Sequence, residues 1–361
     1  MRKTIGASES SSIYLMGICV GSLLSLFLSL ALRNSSATLD GMSVYSWCGY
    51  AIMQIGFIAN VFTYARVRKI DIVNVAKLKG RLNALQIVIL PFIAIATILV
   101  FLPLANAWSA FLSVIGYHGP GVTMPEFSNV GYYFLALFVL AIMPAIGEEI
   151  FMRGTVFSGL ATRDIWFGVL MSGLFFSLMH ANPVQTVHQF GLGVVLAIVV
   201  ALSGSVWAGV IIHFFNNFIS LTLTAYLPQV DALYVKLGYY NWLTGAASVI
   251  VGLFLLACLL YLFYRAGAKR KKGLVSNVYR EDGFTIVASS SVTEQKENAF
   301  KGLARFLKSL FSKQGWKKIR YELEESNGVE YIGKNQNLTG VWIALALVCA
   351  YWLYGFIAGL I

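Results

Sequence analysis

Charge is what this sequence has least of. Only 12% of its 361 residues are charged, and 16 acids face 27 bases. Soluble globular domains carry roughly a quarter charged residues, so composition alone excludes that class. Cysteine is also scarce. Cys19, Cys48, Cys258 and Cys349 fall in apolar segments without ligand-like spacing, which speaks against both a disulfide framework and a zinc ribbon. No repeat of fixed period is present, which sets aside solenoids and propellers. The Gly-x-Ser-x-Gly elbow and the His-Glu-x-x-His helix are missing too, and Ser172 and Ser205 have no evident base.

What the chain has in abundance is long apolar runs, 58% of its residues being hydrophobic. Windows of about twenty apolar residues, enough to cross a hydrocarbon core of roughly 30 Å, recur along it. Nine spans are predicted, near 13–32, 45–65, 85–105, 131–161, 165–181, 188–203, 206–226, 243–264 and 340–361. The expected fold class is all-α, a polytopic membrane helix bundle of eight or nine transmembrane helices. The first span follows Met-Arg-Lys and a serine run and lacks a small-residue cleavage site, so it reads as a retained signal anchor.

The expected organisation is N-terminal helices and loops over 1–129, a core over 130–226 and a further transmembrane helix within 227–266. A basic segment with an amphipathic helix then occupies 267–338, and a last transmembrane helix occupies 339–361. The net charge of +11 concentrates in the loop holding Arg66, Arg68, Lys69, Lys77, Lys79 and Arg81, and in the run that begins at Arg265. The positive-inside rule puts both in the cytoplasm, with the N-terminus inside and the C-terminus outside a cell membrane. That topology accounts for the basic excess, and no nucleic-acid module accompanies it. Residues 273–298 read as a polar linker. From Ala299 to Lys318, Phe300, Leu303, Leu307, Leu310 and Phe311 recur at near-helical spacing among lysines and arginines. This pattern suits a helix on an anionic leaflet and equally a helix of a small cytoplasmic domain.

The strongest functional signal lies inside the apolar core. Glu148, Glu149 and Arg153 share six residues of the fourth span, and a charge at the centre of a membrane helix costs roughly 2.5 to 3.5 kcal/mol on insertion scales. Packing alone does not account for that cost. The fifth span adds Phe176 and His180, and the seventh adds His213 and Asn217. Residues four apart share a helix face, which pairs Glu149 with Arg153, Phe176 with His180 and His213 with Asn217. Glu148 is then about 100° round the helix from Glu149, so the two carboxylates are free to serve different ends.

Counted from the turn at Arg163 and Asp164, the glutamates and His180 reach similar depths on antiparallel helices. Counted from Ser203-Gly204-Ser205, His213 is about half as deep, a gap that tilt or a helix break would close. Pro144, Gly147 and Gly154 predict a kink near the glutamates. Asn216 is expected to point away from His213, His188 to begin its span near the outer surface, and His118 to lie in an outer loop.

A carboxylate beside an imidazole takes a proton from water, while a second imidazole with a carboxamide hydrogen-bonds an oxyanion; together these groups form a set suited to amide hydrolysis. Neutral imidazoles and carboxylates also suit a divalent cation such as zinc, with Glu148, His180 and His213 as its ligands. The sequence leaves direct and metal-assisted water activation both open. Buried acids and histidines also serve proton-coupled transporters, but no inverted repeat is evident.

The three groups, Glu148-Glu149-x-x-x-Arg153, Phe176-x-x-x-His180 and His213-x-x-x-Asn217, resemble the motifs of the CAAX prenyl endopeptidase type II and bacteriocin-processing (CPBP, or Abi) intramembrane proteases. They stand in family order on successive spans within about 130–225. The resemblance implies that Glu148 and His180 activate water, that His213 and Asn217 stabilise the oxyanion, and that Glu149 and Arg153 hold the helix. It implies a membrane-associated or prenylated protein or peptide as substrate, in a lipid setting. Other members of the family imply a different role, as a non-catalytic scaffold or immunity protein acting on a membrane partner such as a cell-wall enzyme.

Overall fold

The computed structural model describes residues 2–32, 35–119, 123–239, 241–271 and 299–361. Its helices in chain order are α1 (Ala7–Leu32), α2 (Val44–Val67), α3 (Ala84–Val114), α4 (Val130–Ala161), α5 (Ile165–Met179), α6 (Thr186–Ser203) and α7 (Val206–Tyr226). They continue with α8 (Pro228–Tyr239), α9 (Trp242–Lys271), α10 (Ala299–Ser309), α11 (Lys313–Asn327) and α12 (Thr339–Ala358). Among the described residues eight helices are long and apolar enough to cross a membrane, which makes this a multi-pass membrane protein of the all-α class. Of the nine predicted spans, α5 alone falls short: fifteen residues give about 22 Å of helix.

The helix starts follow from side chains that satisfy orphan amides. Ser43 caps α2, Asn83 and Gln86 form a reciprocal capping box on α3, Asn129 caps α4, and Asp164 caps α5. The serine run belongs to α1, which begins six residues before the predicted span. Ser10 and Ser11 donate to the Ala7 carbonyl and Ser12 to that of Ser8, so the hydroxyls are satisfied within the helix. At the other end of α6, Gly204 takes a left-handed φ of 63° and turns the chain into α7.

Helix α4 carries the glutamates and is irregular on both sides of them. Leu137–Ile142 and Met152–Phe157 are wound as π-helix, separated by nine residues of α-helix, Met143–Phe151. The expected kink therefore takes the form of two π stretches, each rotating the helix face that follows it.

Packing places α4 at the centre, against α1, α2 and α7, while α5 lies on α6 and α9 lies on α3. Tyr14 of α1 stacks on Phe151 of α4 and Phe175 of α5, with ring centroids 5.9 and 4.6 Å away, and its hydroxyl donates to the Phe175 carbonyl at 2.9 Å. Such offset stacks add about 0.5 to 1.5 kcal/mol beyond burial.

One end of the bundle collects the N-terminal residues, the 68–83 loop and the turns at Thr162 and Gly204. Arg2 pairs with Ile70, the Val206 amide donates to the Lys77 carbonyl, and the Ile332 amide donates to that of Thr162. The opposite end holds a two-residue hairpin, Thr38–Leu39 with Met42–Ser43, and the segment around Ser128, which Asp40 anchors. These groupings match the alternation expected for successive crossings.

The predicted amphipathic helix over 299–318 is two helices, broken at 310–312 where Ser312 caps α11. Helix α11 docks on the bundle: Leu323 is buried, Trp316 meets Trp166 edge to face at 5.6 Å, and Arg320 pairs with Asp164 at 2.7 Å. The Glu324 carboxylate, then Asp164, hold the Arg320 guanidinium above its usual value. The predicted linker at 273–298 lies outside the described residues.

Small residues set the closest approaches. A Cβ on Gly159 would sit 2.3 Å from the Ser10 Cβ and 2.9 Å from the Gly6 carbonyl oxygen, so α1 and the end of α4 touch only because glycine is there. Gly159→Val is expected to destabilise the protein by about 1 to 3 kcal/mol through overpacking. A thermal melt of the detergent-solubilised protein checks this, and an unchanged midpoint would contradict the contact.

Candidate active site

Glu149 and Arg153 sit one turn apart on α4, and both side chains are fully buried. Arg153 Nη1 donates to Glu149 Oε1 at 2.6 Å, and Nη2 donates to the Gly193 carbonyl of α6 at 3.1 Å. The guanidinium also lies 4.3 Å from the centre of the Phe176 ring of α5, a cation–π contact made in a desolvated setting. Phe176 therefore does more than wall the site. Its edge contacts reach the His180 ring at 5.0 Å and the His213 ring at 5.7 Å, so one phenyl group spaces both imidazoles.

Glu149 has a second partner that helix spacing did not predict. His213 Nδ1 donates to Glu149 Oε1 at 3.0 Å, which fixes the ring and turns Nε2 toward Glu148, whose Oε2 is 3.9 Å away. The depth gap expected for His213 is closed. A carboxylate behind an imidazole is the usual means of fixing its tautomer and orientation. The close approach of α7 relies on Gly209, where a Cβ would stand 2.6 Å from Glu149 Oε2.

His180 ends α5, and its Nδ1 donates to the Phe176 carbonyl at 2.7 Å, leaving Nε2 with a free lone pair. The next residue, Ala181, has φ of 47°, a left-handed conformation that costs an L-residue of order 1 kcal/mol. Helix α12 supports this turn. Its Gly355 faces the Ala181 carbonyl closely, and Trp352 Nε1 donates to Thr186 Oγ1 at 2.9 Å. No hydrogen bond joins His180 to Glu148; the imidazole nearest Glu148 by ion-pair distance is that of His213.

Asn217 is half-buried beside the site, with Nδ2 donating to the Leu140 carbonyl at 3.3 Å in the first π stretch of α4. Asn216 makes no contact with His213 but meets its neighbour. It is buried and donates from Nδ2 to Asn217 Oδ1 at 3.2 Å, which orients the neighbouring amide. His188 stands in the first turn of α6, as expected, half-buried and with its Nδ1 withdrawn from solvent.

The residue that sequence reasoning missed is Gln54 of α2. It is buried, and its Nε2 donates to Glu148 Oε1 at 3.0 Å. Gly147 makes room for it, since a Cβ there would lie 2.6 Å from Gln54 Oε1. The available signal was a lone carboxamide in an apolar span, which in a membrane helix implies a partner on another helix.

The expected ligand set of Glu148, His180 and His213 does not converge: among the described residues no three His, Cys, Asp or Glu side chains are grouped to hold a metal ion. Glu148 and His213 approach each other, and His180 and His213 each hydrogen-bond through Nδ1 and keep Nε2 for a ligand or a substrate. No step below is routed through a metal.

Fold and site together define a multi-pass helical membrane protein with a carboxylate–imidazole centre buried between four helices. Residues 130–219 match the family model Rce1-like, described as Type II CAAX prenyl endopeptidase Rce1-like, so this segment of the chain is similar to that family. No curated protein and no solved structure matches the chain.

Removing Arg153 would leave Glu149 as an uncompensated buried carboxylate. Arg153→Met is expected to cost about 3 to 5 kcal/mol, and Glu149→Gln together with Arg153→Met distinctly less. Melting midpoints of the single and double variants check this; strictly additive losses would contradict the pairing.

Proposed function

We propose that the protein is an intramembrane endopeptidase that hydrolyses a peptide bond in a membrane-associated substrate, a prenylated protein or peptide being the class its family favours. The observation that carries this reading is the buried Glu148–His213 pair, with the Phe176 ring edge to face against both His213 and His180, all inside the matched segment.

Glu148 is the general base. The lone pair on its unpaired side and the free Nε2 of His180 accept from the attacking water, whose oxygen adds to the carbonyl carbon. The oxyanion that forms is met by His213, in the state in which Nε2 carries a proton, and by the Asn217 amide. Collapse breaks the C–N bond, and the proton held by Glu148 passes to the leaving amine, so the carboxylate is regenerated. Glu149 and Arg153 touch no reacting atom in this scheme; they set the orientation of His213. Gln54 positions Glu148 by fixing one carboxylate oxygen and leaving the other to water. The N-terminus and the basic end of the bundle face the cytoplasm in this reading, with the protein in the cell membrane.

Purified protein in which Glu148→Gln or His180→Ala is made is expected to lose cleavage of a prenylated reporter peptide while melting like the parent. Undiminished cleavage in both variants would sink the assignment. Gln54→Leu is expected to lower kcat about tenfold, the size of one hydrogen bond to a charged group, with KM nearly unchanged. A kcat and KM that fall together with the melting midpoint would make Gln54 merely structural.

A further inference from the structure

At the basic end of the bundle, away from the glutamates, a cavity of about 260 Å³ lies between the N-terminal residues, the 68–83 loop, α4 and the segment after α11. Lys77 lines it. The side chain is 7% exposed, and Nζ donates to Ser158 Oγ at 2.8 Å. Among the described residues no carboxylate lies within ion-pair distance of it; besides Ser158, Nζ faces only the Phe157 ring, whose centre is 5.7 Å away, so no anionic group balances its charge. Solvent is close enough for a lysine stem to reach, yet the ammonium points inward.

Two features hold Lys77 there. Its φ of 54° is left-handed, a conformation a lysine adopts only where its surroundings impose it, and its carbonyl accepts from the Val206 amide. Ser158 serves as anchor rather than ligand donor, because its own hydroxyl proton goes to the Val75 carbonyl at 3.0 Å. Burial drives Lys77 from its usual 10.5 down to about 7. A buried ammonium without a counterion is costly, and an anion in the cavity would relieve that cost.

The rest of the wall agrees. Asn327 is 5% exposed, and its Oδ1 has no hydrogen-bond partner. Exchanging the oxygen and nitrogen of its carboxamide would offer N–H groups to a ligand. Lys3 and Asn74 add further donors from the exposed rim. Glu330 is the one acid on the wall, and its Oε2 already accepts from Thr4 Oγ1 at 3.1 Å. With Lys77 charged, two lysines against one carboxylate leave the cavity with a net positive charge.

We propose that this cavity is a binding site for a phosphate-class oxyanion, either a free phosphomonoester or the phosphate of a lipid headgroup, held by Lys77 with Lys3, Asn74 and Asn327. It is separate from the glutamate centre and does not depend on the reaction assigned there.

The full-length protein in detergent, held below neutral pH so that Lys77 is charged, is melted against rising inorganic phosphate, with chloride at matched ionic strength as reference. A saturable rise in Tm is expected, and Lys77→Met should raise the half-saturating concentration at least about tenfold, the loss of one charge-assisted hydrogen bond. A second arm compares nanodiscs of phosphatidylcholine with and without phosphatidic acid. A Lys77-dependent rise in that arm alone assigns the site to a lipid headgroup, and a rise with inorganic phosphate assigns it to a free oxyanion. If Lys77→Met fails to fold, Lys3→Ala and Asn74→Ala at the exposed rim should each weaken the same saturable response. Equal responses in parent and variants in both arms would overturn the proposal.

Discussion

A guanidinium and a carboxylate withdrawn wholly from solvent cost several kcal/mol each, and their mutual attraction repays this only when the remaining polar atoms find partners. Arg153 and Glu149 meet that condition by reaching across the bundle. Arg153 bonds Glu149 on its own helix and the Gly193 carbonyl of α6, and it stacks on Phe176 of α5. Glu149 accepts from His213 of α7 as well. One ion pair therefore joins four helices, and the position of His213 relative to Glu148 follows from it.

That pairing also explains the form of α4. A regular helix of 32 residues keeps one turn between successive faces, whereas the π stretches flanking Met143–Phe151 let the glutamates face the site without dictating the faces of the flanking turns. The Leu140 carbonyl that meets Asn217 lies in the first stretch, and Arg153 lies in the second. Local departures from α-geometry thus coincide with the polar contacts.

The matched segment is not self-sufficient. Gln54 of α2 supplies a hydrogen bond to Glu148, Tyr14 of α1 braces α4 and α5, and α12 backs the strained turn after His180. Helices outside residues 130–219 therefore complete the surroundings of the centre. At the basic end, α11 is tied to α5 through Arg320 and Asp164, and the 68–83 loop is folded inward around Lys77.

The sequence by itself determined the bundle and the identity of the charged centre. Twenty-residue apolar runs and the price of a buried charge are local properties, legible wherever they occur, and residues four apart on one helix meet whatever surrounds them. Hence the Glu149–Arg153 pair and the shared face of Phe176 and His180 were readable from spacing. Which imidazole stands beside which carboxylate was not, because helix depth counted from turns assumes regular α-helix and α4 is interrupted twice. The shortness of α5, the contacts of Gln54 and Asn216, and the inward Lys77 were decided only by tertiary structure. Each depends on a partner distant in the chain, and a polar side chain in an apolar run announces that it needs such a partner without saying where it lies.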